Sequence, residues 1–278
     1  MVPRRDPHAV LRPYPSLMAS VQRSVLAVEN GRRSNQVDDL AEEAPVEIRL
    51  DGVPLAVLMR TPGADEALAR GFALTEGIVI SPDEVAAVEP VGVGDRWDLR
   101  LAQGVQVDPE RFRRSAYVSS SCGVCGKASI DAVRVAGREP PTGPRITAEL
   151  PARWIAALEG SQPDFDRTGG LHAAAVCDTG GAVLSSAEDV GRHNAVDKAV
   201  GALVGERWPL GEVALVVSGR VSFEITQKAA VAGIPVVCGV SAASSLAADL
   251  ADELGLTLIG FTRGGRFVVY AGPHRFTP

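Results

Sequence analysis

Two cysteines stand three positions apart in a serine- and glycine-rich stretch, where Cys122 and Cys125 are followed by Lys127. This composition predicts an exposed loop rather than the interior of a helix or strand. The thiolate is the reactive form of cysteine, and a neighbouring ammonium group favours it by charge attraction. We therefore expect Cys122 and Cys125 to act through sulfur chemistry.

Three kinds of site use a cysteine pair at this spacing. A structural zinc ion needs four ligands, but Cys177 and Cys238 lie apart in apolar runs that predict buried strands. A zinc site would therefore need a second chain. A thioredoxin-like redox pair precedes a long helix, whereas the residues after Cys125 predict only a short one. A sulfur carrier accepts a sulfane sulfur as a persulfide and passes it on by the attack used in thiol–disulfide exchange. The spacing leaves all three open.

Composition narrows the class of protein. The chain has 278 residues and a formal net charge of −6, which argues against nucleic-acid binding through a general positive field. No apolar run approaches the ~20 residues of a membrane-spanning helix. Four cysteines in a chain of this length do not form a disulfide framework, so we expect a reducing, cytoplasmic setting.

The sequence divides into four segments, one of which holds the two thiols. Residues 1–40 lack a clear period and predict a flexible arm. Residues 41–116 predict a small α+β domain that contains a hairpin turn at Asp51-Gly52. Residues 117–145 predict a mobile loop and linker that hold both cysteines. Residues 146–278 predict alternating strands and helices, and hence an α/β domain with a mixed sheet.

Three turns that follow predicted strands of this last segment combine small residues with hydroxyl and guanidinium groups. Ligands bind at the carboxyl ends of strands in such sheets. The turns at residues 218–220 and 241–245 lead into helices, whose N-termini favour anions. We therefore expect a phosphate-bearing ligand. The candidate ligand residues in the first and third turns are Ser218, Gly219, Arg220, Phe261, Thr262, Arg263, Gly264, Gly265 and Arg266.

A second group of candidates surrounds a predicted helix over residues 190–203. Asp189, His193 and Asp197 recur at a spacing of four, which would place them on one helical face. His193 between two carboxylates could bind guanine or shuttle a proton, or the segment could be a helix start with surface ion pairs. His172, which follows two glycines, could contact ligand or serve as a structural hydrogen-bonding group.

Two further cations follow the strand end at residue 217. Arg220 and Lys228 could face ligand phosphates. Glu224 and Lys228 also stand four residues apart, which is the spacing of an ordinary surface salt bridge on a helix.

Several of these motifs together resemble the formate dehydrogenase accessory sulfurtransferases, the FdhD/NarQ family. The resemblance implies a cytidine-deaminase-like three-layer α/β/α fold for residues 146–278, and a homodimer. Ala174 stands where zinc deaminases have their glutamate, so we expect no deaminase activity. The matching segments are Cys122-Gly123-Val124-Cys125-Gly126, residues 168–174, residues 188–198, Ser218-Gly219-Arg220, Gly233-Ile234-Pro235 and residues 257–261.

The resemblance also implies a sulfur carrier required for formate dehydrogenase activity. Cys122 would take persulfide sulfur from a cysteine desulfurase, and Cys125 would hold that sulfur in turn or assist its release. The acceptor would be Mo-bis(molybdopterin guanine dinucleotide), or its tungsten counterpart, held partly by residues 261–266 before insertion into the formate dehydrogenase catalytic subunit. The protein itself would hold no metal. The alternatives are a cofactor-binding chaperone whose cysteines ligate zinc, and a thiol redox protein.

Overall fold

The structure, a computed structural model, describes residues 19–92, 95–109, 112 and 143–277. Cys122 and Cys125 lie outside the described residues, as does most of the loop predicted around them. The position of the two thiols therefore stays a sequence-based prediction.

The described part of the predicted N-terminal arm is a β-hairpin of β1 (Ser20–Glu29) and β2 (Arg32–Ala41). The prediction of a flexible arm is therefore wrong for these residues. Asn30 and Gly31 join the strands with φ of 50° and 80°, the turn that best suits a two-residue hairpin. The strands lack the alternation of a half-buried strand, because apolar side chains also point to solvent. The exposed ones on one hairpin face are Leu26, Val28 and Val37.

A four-stranded sheet and one helix form the rest of the N-terminal unit. The strand order is β4-β3-β6-β5, and only β3 and β6 pair in parallel. The hairpin turn predicted at Asp51-Gly52 is confirmed, and both residues have positive φ. The elements are β3 (Ala44–Leu50), β4 (Val53–Arg60), α1 (Asp65–Thr75), β5 (Val85–Pro90) and β6 (Arg96–Leu101), with a 3-10 turn at Pro82–Glu84 before β5.

A six-stranded mixed sheet forms the centre of the C-terminal part. Its order is β12-β11-β10-β9-β7-β8. The three neighbours β9, β10 and β11 are parallel, and the remaining pairs are antiparallel. The strands are β7 (His172–Cys177), β8 (Val183–Asp189), β9 (Ala214–Val217), β10 (Val236–Gly239), β11 (Thr257–Arg263) and β12 (Arg266–Ala271).

Helices cover both faces of this sheet and make three layers. One face packs against α4, α5 and α6, and the other packs against α2. The mixed sheet between helices is as predicted, while the cytidine-deaminase-like relationship and the homodimer stay predictions. No helix in the described ranges is long and apolar enough to cross a membrane. The helices are α2 (Leu150–Glu159), α3 (Pro163–Thr168), α4 (Arg192–Val204), α5 (Phe223–Val231) and α6 (Ser245–Glu253).

The N-terminal unit shares its core with the C-terminal layers. A single cluster of buried apolar side chains runs from β3 through α1 and α4 to the central sheet. The helices α1 and α4 touch through glycines, since a Cβ atom on Gly71 would lie 1.8 Å from the backbone oxygen of Asp197. On the other side, a Cβ atom on Gly201 would lie 1.9 Å from the backbone oxygen of Ala67. This close approach brings the polar side chains of the two helices into contact.

Candidate functional site

The carboxyl ends of the three parallel strands meet at one edge of the central sheet, as predicted. The turns that follow them are bonded to one another by backbone hydrogen bonds. Val221 N donates to the oxygen of Ala242 over 3.0 Å, and Phe261 N donates to the oxygen of Ser241 over 3.0 Å. We call residues 218–222, 241–245 and 261–266 the turn cluster.

Two arginines of the turn cluster stand at the tip of the β11–β12 hairpin. Arg263 and Arg266 pair directly across Gly264-Gly265, whose φ angles of 54° and 81° require glycine or a similarly permissive residue. All four residues are exposed. A guanidinium pair on a tight, open turn is suited to bidentate binding of phosphate oxygens.

Phe261 and Thr262, which precede this tip, differ in side-chain exposure. Phe261 has a φ of 50° and is 47% exposed. A bulky residue in the left-handed region is a local strain of the kind found at binding sites. Thr262 is 1% exposed, and its Oγ1 lies 3.6 Å from the Sγ of Cys238. The prediction that Thr262 contacts the ligand is therefore wrong for its side chain, because the strand alternation turns it into the core.

His172 adjoins the first turn of the cluster. It pairs with Asp189 across β7 and β8, and a Cβ atom on Gly219 would lie 3.4 Å from its Nδ1. Ser218 binds the same strand end, since its Oγ accepts from Ala173 N over 2.9 Å. Burial lowers the pKa of His172, and the nearby Arg192 guanidinium lowers this pKa further. A neutral imidazole therefore borders the turn cluster.

His193 is buried at the start of α4, and its carboxylate neighbour comes from another helix. Its Nε2 lies 3.9 Å from Oε2 of Glu224 in the first turn of α5. The predicted arrangement between Asp189 and Asp197 is wrong, because Asp189 ends β8 before the helix begins and Asp197 bonds to Lys228. The two helix starts therefore lie side by side at the edge that holds the turn cluster.

Sequence reasoning missed two polar groups at these helix starts. The Nε of Arg192 and the Oγ of Ser222 are buried atoms without a hydrogen-bond partner among the described residues. Neither α4 nor α5 has a side-chain cap at its N-terminus. Buried polar groups normally find partners, and helix N-termini favour anions, so these donors suit an acceptor-rich ligand. The position of Ser222 directly before a predicted helix was the sequence signal that could have marked it as a polar group at a helix start.

Lys228 does not face a ligand, which corrects the prediction for this residue. It is 4% exposed, and its Nζ lies 2.8 Å from Oδ1 of Asp197 and 2.9 Å from Oε1 of Glu76. The alternative of a surface salt bridge with Glu224 is also wrong, because Lys228 points between α1 and α4. Arg220, by contrast, is exposed on its turn and remains a ligand candidate.

The two cysteines within the described residues are buried, unreactive thiols. Cys177 and Cys238 are free and buried in β7 and β10, as predicted from their apolar runs. Burial raises the pKa of each thiol to about 12, so both stay protonated at neutral pH. Within the described ranges no three His, Cys, Asp or Glu side chains come together as metal ligands.

A cavity of about 590 Å³ lies outside the turn cluster, beside the edge strand β8. None of the sequence-predicted ligand residues lines it. Its walls come from the start of α1, the α2–α3 connection and β8, and Glu188 in its lining accepts from the N–H groups of Asp164 and Phe165. Those bonds give Glu188 the role of a cap for α3.

A sequence model of the FdhD/NarQ family matches residues 41–277. The chain belongs to this family. A sulfur carrier protein FdhD from Streptomyces avermitilis is 49% identical over 270 residues, which cover 91% of this chain and 94% of that protein. A sulfur carrier protein FdhD from Anaeromyxobacter dehalogenans is 50% identical over 254 residues, covering 86% and 88%.

A solved structure shares the fold of this FdhD/NarQ family member. It comes from Desulfotalea psychrophila, is assigned as a formate dehydrogenase accessory protein, and has 23% sequence identity. The two structures superpose with a TM-score of 0.74 over 94% of this chain and 100% of the other. The architecture of the described part of the chain is therefore one already seen in a crystal structure.

Proposed function

We propose that this protein is a sulfur carrier that delivers persulfide sulfur to a guanine-dinucleotide molybdenum or tungsten cofactor for formate dehydrogenase. Two findings support the proposal. Relatives at 49% and 50% identity are named sulfur carrier protein FdhD. The structural observation that supports cofactor binding is the turn cluster. In it, exposed Arg220, Arg263 and Arg266 lie at the carboxyl ends of the parallel strands, beside helix N-termini that have no side-chain cap.

The first chemical step in this proposal loads sulfur onto Cys122. Its thiolate attacks the outer sulfur of a desulfurase persulfide, a new S–S bond forms, and the desulfurase cysteine leaves as a thiolate. The electrons balance because one persulfide replaces another. Lys127 follows in the sequence and favours the thiolate by its charge.

The second step releases the sulfur, and Cys125 supplies the electrons for it. Attack of the Cys125 thiolate on the inner sulfur of the Cys122 persulfide forms a Cys122–Cys125 disulfide and frees hydrosulfide. Hydrosulfide carries sulfur that is reduced by two electrons relative to the persulfide's outer sulfur, so it can replace an oxygen ligand of the cofactor metal without a redox change there. That oxygen leaves as water, with the hydrosulfide proton and one proton from solvent. A thiol reductant then restores the two cysteines.

The turn cluster would hold the cofactor through its phosphate groups. A dinucleotide carries two linked phosphates, and charge-assisted bonds from guanidinium groups are the strong kind. The backbone of Gly264-Gly265 lets a ligand approach closely, and exposed Phe261 adds an aromatic face beside it. The cofactor is the substrate of this reaction and departs with the formate dehydrogenase catalytic subunit.

A sulfur-label experiment tests the proposal. The protein is incubated with [35S]cysteine, a cysteine desulfurase and the molybdenum cofactor, and label is measured on the protein and on the cofactor. Cys122→Ala should abolish loading. The double variant Arg263→Ala/Arg266→Ala should load normally but transfer at least tenfold less label, since even one lost charge-assisted bond costs about 1.5–3 kcal/mol.

A surface arginine away from the turn cluster provides the matched control. Arg96→Ala on β6 removes one positive charge from an exposed position, against two in the double variant, and should leave both loading and transfer unchanged. Equal losses in Arg96→Ala and in the double variant would show that general charge, rather than the turn cluster, governs transfer. Label on the cofactor with Cys122→Ala would contradict the sulfur route itself.

A further inference from the structure

The Asp189 carboxylate is fully buried and accepts hydrogen bonds from four donors. Its Oδ1 accepts from Gly191 N over 2.7 Å and from Asn194 Nδ2 over 3.0 Å. Its Oδ2 accepts from Thr61 N over 3.1 Å and lies 2.7 Å from Nζ of Lys198. Burial raises the pKa of Asp189, and the Lys198 ammonium opposes that shift. One side chain therefore joins the β8–α4 turn to the end of β4 in the N-terminal unit.

Further hydrogen bonds link the same two regions, residues 59–61 and the start of α4, and we call this set of contacts the junction. Thr61 Oγ1 accepts from Val190 N over 3.1 Å, and the Asn194 side chain donates to the oxygen of Met59 over 2.7 Å. Lys198 Nζ also donates to the oxygen of Thr61 over 2.7 Å. Residues 59–61 and 189–194, which are far apart in the sequence, thus hold each other through both side chains and backbone.

The segment of residues 189–194 lies beside the turn cluster. Residues 189–194 include Arg192, whose charge acts on His172, and His193, which faces Glu224. His172 in turn lies against Gly219 of the turn cluster. A shift of the β8–α4 turn would therefore displace several groups at the sheet edge together.

We propose that Asp189 is a positioning residue through which the N-terminal unit fixes the start of α4 in the geometry that binds the guanine-nucleotide part of the cofactor. This inference rests on the proposed function for the identity of the ligand. It assigns the N-terminal unit a role in ligand affinity, in addition to the shared core. The junction touches no ligand itself and acts through the residues that it holds.

The chain contains a matched junction that separates positioning from stability. Asp197 is also buried, and it contacts Lys228 Nζ at 2.8 Å and accepts from Thr75 Oγ1 over 2.6 Å. Like Asp189, it is a buried carboxylate paired with a lysine and bonded to a threonine, and it also joins α4 to the N-terminal unit. The threonine bond differs, because Thr75 donates through its hydroxyl and Thr61 through its backbone N–H. Asp197 lies roughly 7.5 Å further along α4 from Arg192 at 1.5 Å per residue, and it bonds to the end of α1 instead of the β8–α4 turn.

The experiment compares Asp189→Asn and Thr61→Val with Asp197→Asn and Thr75→Val. Binding of GDP, as a probe for the nucleotide half of the cofactor, is measured by calorimetry, and the free energy of unfolding is measured in urea. Asp189→Asn should weaken GDP binding at least tenfold and Thr61→Val about threefold, because lost hydrogen bonds free the turn. The two control variants should bind GDP within about twofold of wild type at a similar loss of stability.

The outcomes distinguish this inference from the proposed function. Unchanged GDP affinity in Asp189→Asn and Thr61→Val overturns it, and so does an equal loss in the control variants. If Asp189→Asn does not fold, the milder Thr61→Val decides. A wild-type protein that accepts sulfur on Cys122 but binds no GDP overturns the inference and leaves the sulfur-carrier step standing. Failure to accept sulfur, with the GDP pattern as expected, overturns the proposed function alone.

Discussion

Replacing Gly201 by alanine should destabilise the protein although alanine is the better helix former. In an open helix the change would gain about 1 kcal/mol. Here the new Cβ atom would lie 1.9 Å from the backbone oxygen of Ala67, against an ordinary contact of 3.4 Å or more. Helix α1 must therefore retreat by about 1.5 Å, and the obstacle is rigid backbone rather than a mobile side chain.

Overpacking of this kind costs about 1–3 kcal/mol, and more when backbone must move. Because the backbone of α1 must move, we expect a cost of about 3–4 kcal/mol, above the usual range. Subtracting the helical gain of about 1 kcal/mol leaves a net loss of about 2–3 kcal/mol for Gly201→Ala. At about 2–4 °C per kcal/mol, the thermal midpoint should fall by about 4–12 °C in calorimetry.

Gly205 at the end of the same helix is the matched control. A Cβ atom there would meet nothing within 4 Å, and its φ is −68°. Gly205→Ala should leave the midpoint unchanged or raise it slightly. If Gly201→Ala is as stable as Gly205→Ala, the close approach of α1 and α4 is refuted, and with it the geometry that brings Thr75 to Asp197.

Three further predictions concern titratable groups that are buried or half-buried. Lys228→Met should cost about 3–5 kcal/mol in urea unfolding, because Asp197 loses its buried counter-charge; a loss under about 1 kcal/mol would show that this pair is solvated. Burial lowers the pKa of His172 in the folded protein from its ordinary value of 6.5. As pH falls, His172 is therefore protonated first in the unfolded chain. Stability should therefore fall as pH drops below about 6.5, less so in His172→Gln, and equal pH dependence in both proteins would argue against a half-buried neutral imidazole. Cys177 and Cys238 should resist iodoacetamide in the native protein at pH 7.5, and mass-spectrometric detection of rapid labelling at either would contradict their burial and their pKa of about 12.

The regular part of the fold could be predicted because its signals are local. The continuous apolar runs of β9 and β10 are typical of strands buried on both faces. Gly255 and the sequence Gly233-Ile234-Pro235 mark helix ends. Once strands and helices alternate, the edge at which the turns converge follows from the geometry of parallel strands.

Other elements were missed because their strands or helices lack a regular apolar pattern. The hairpin before residue 41 has a local turn signal at Asn30-Gly31, but its strands bury little and show no alternation of apolar and polar residues. The helix α3 has only six residues and is capped by Glu188 from a distant strand. No local pattern indicates such a cap.

The ion pairs show the same limit within the site. A spacing of four residues predicted that Lys228 pairs with Glu224 and that His193 lies between Asp189 and Asp197. In the structure the partners come from neighbouring helices instead, because buried charges need close counter-charges and the layers bring those from other elements. The sequence identified the charged residues that form ion pairs, but which residues pair with each other depends on how the helices pack.

The most direct test of the central claim is the intact mass of the protein after incubation with a cysteine desulfurase and cysteine. We predict an added mass of about 32 Da, one sulfur atom, that peptide mapping places on Cys122 and that a thiol reductant removes. The adduct should be absent in Cys122→Ala and retained in Cys177→Ala. No added mass either on the wild-type protein or on Cys125→Ala, in which Cys125 can no longer release the sulfur, would contradict a sulfur carrier. An adduct that persists when Cys122 and Cys125 are both replaced would also contradict it.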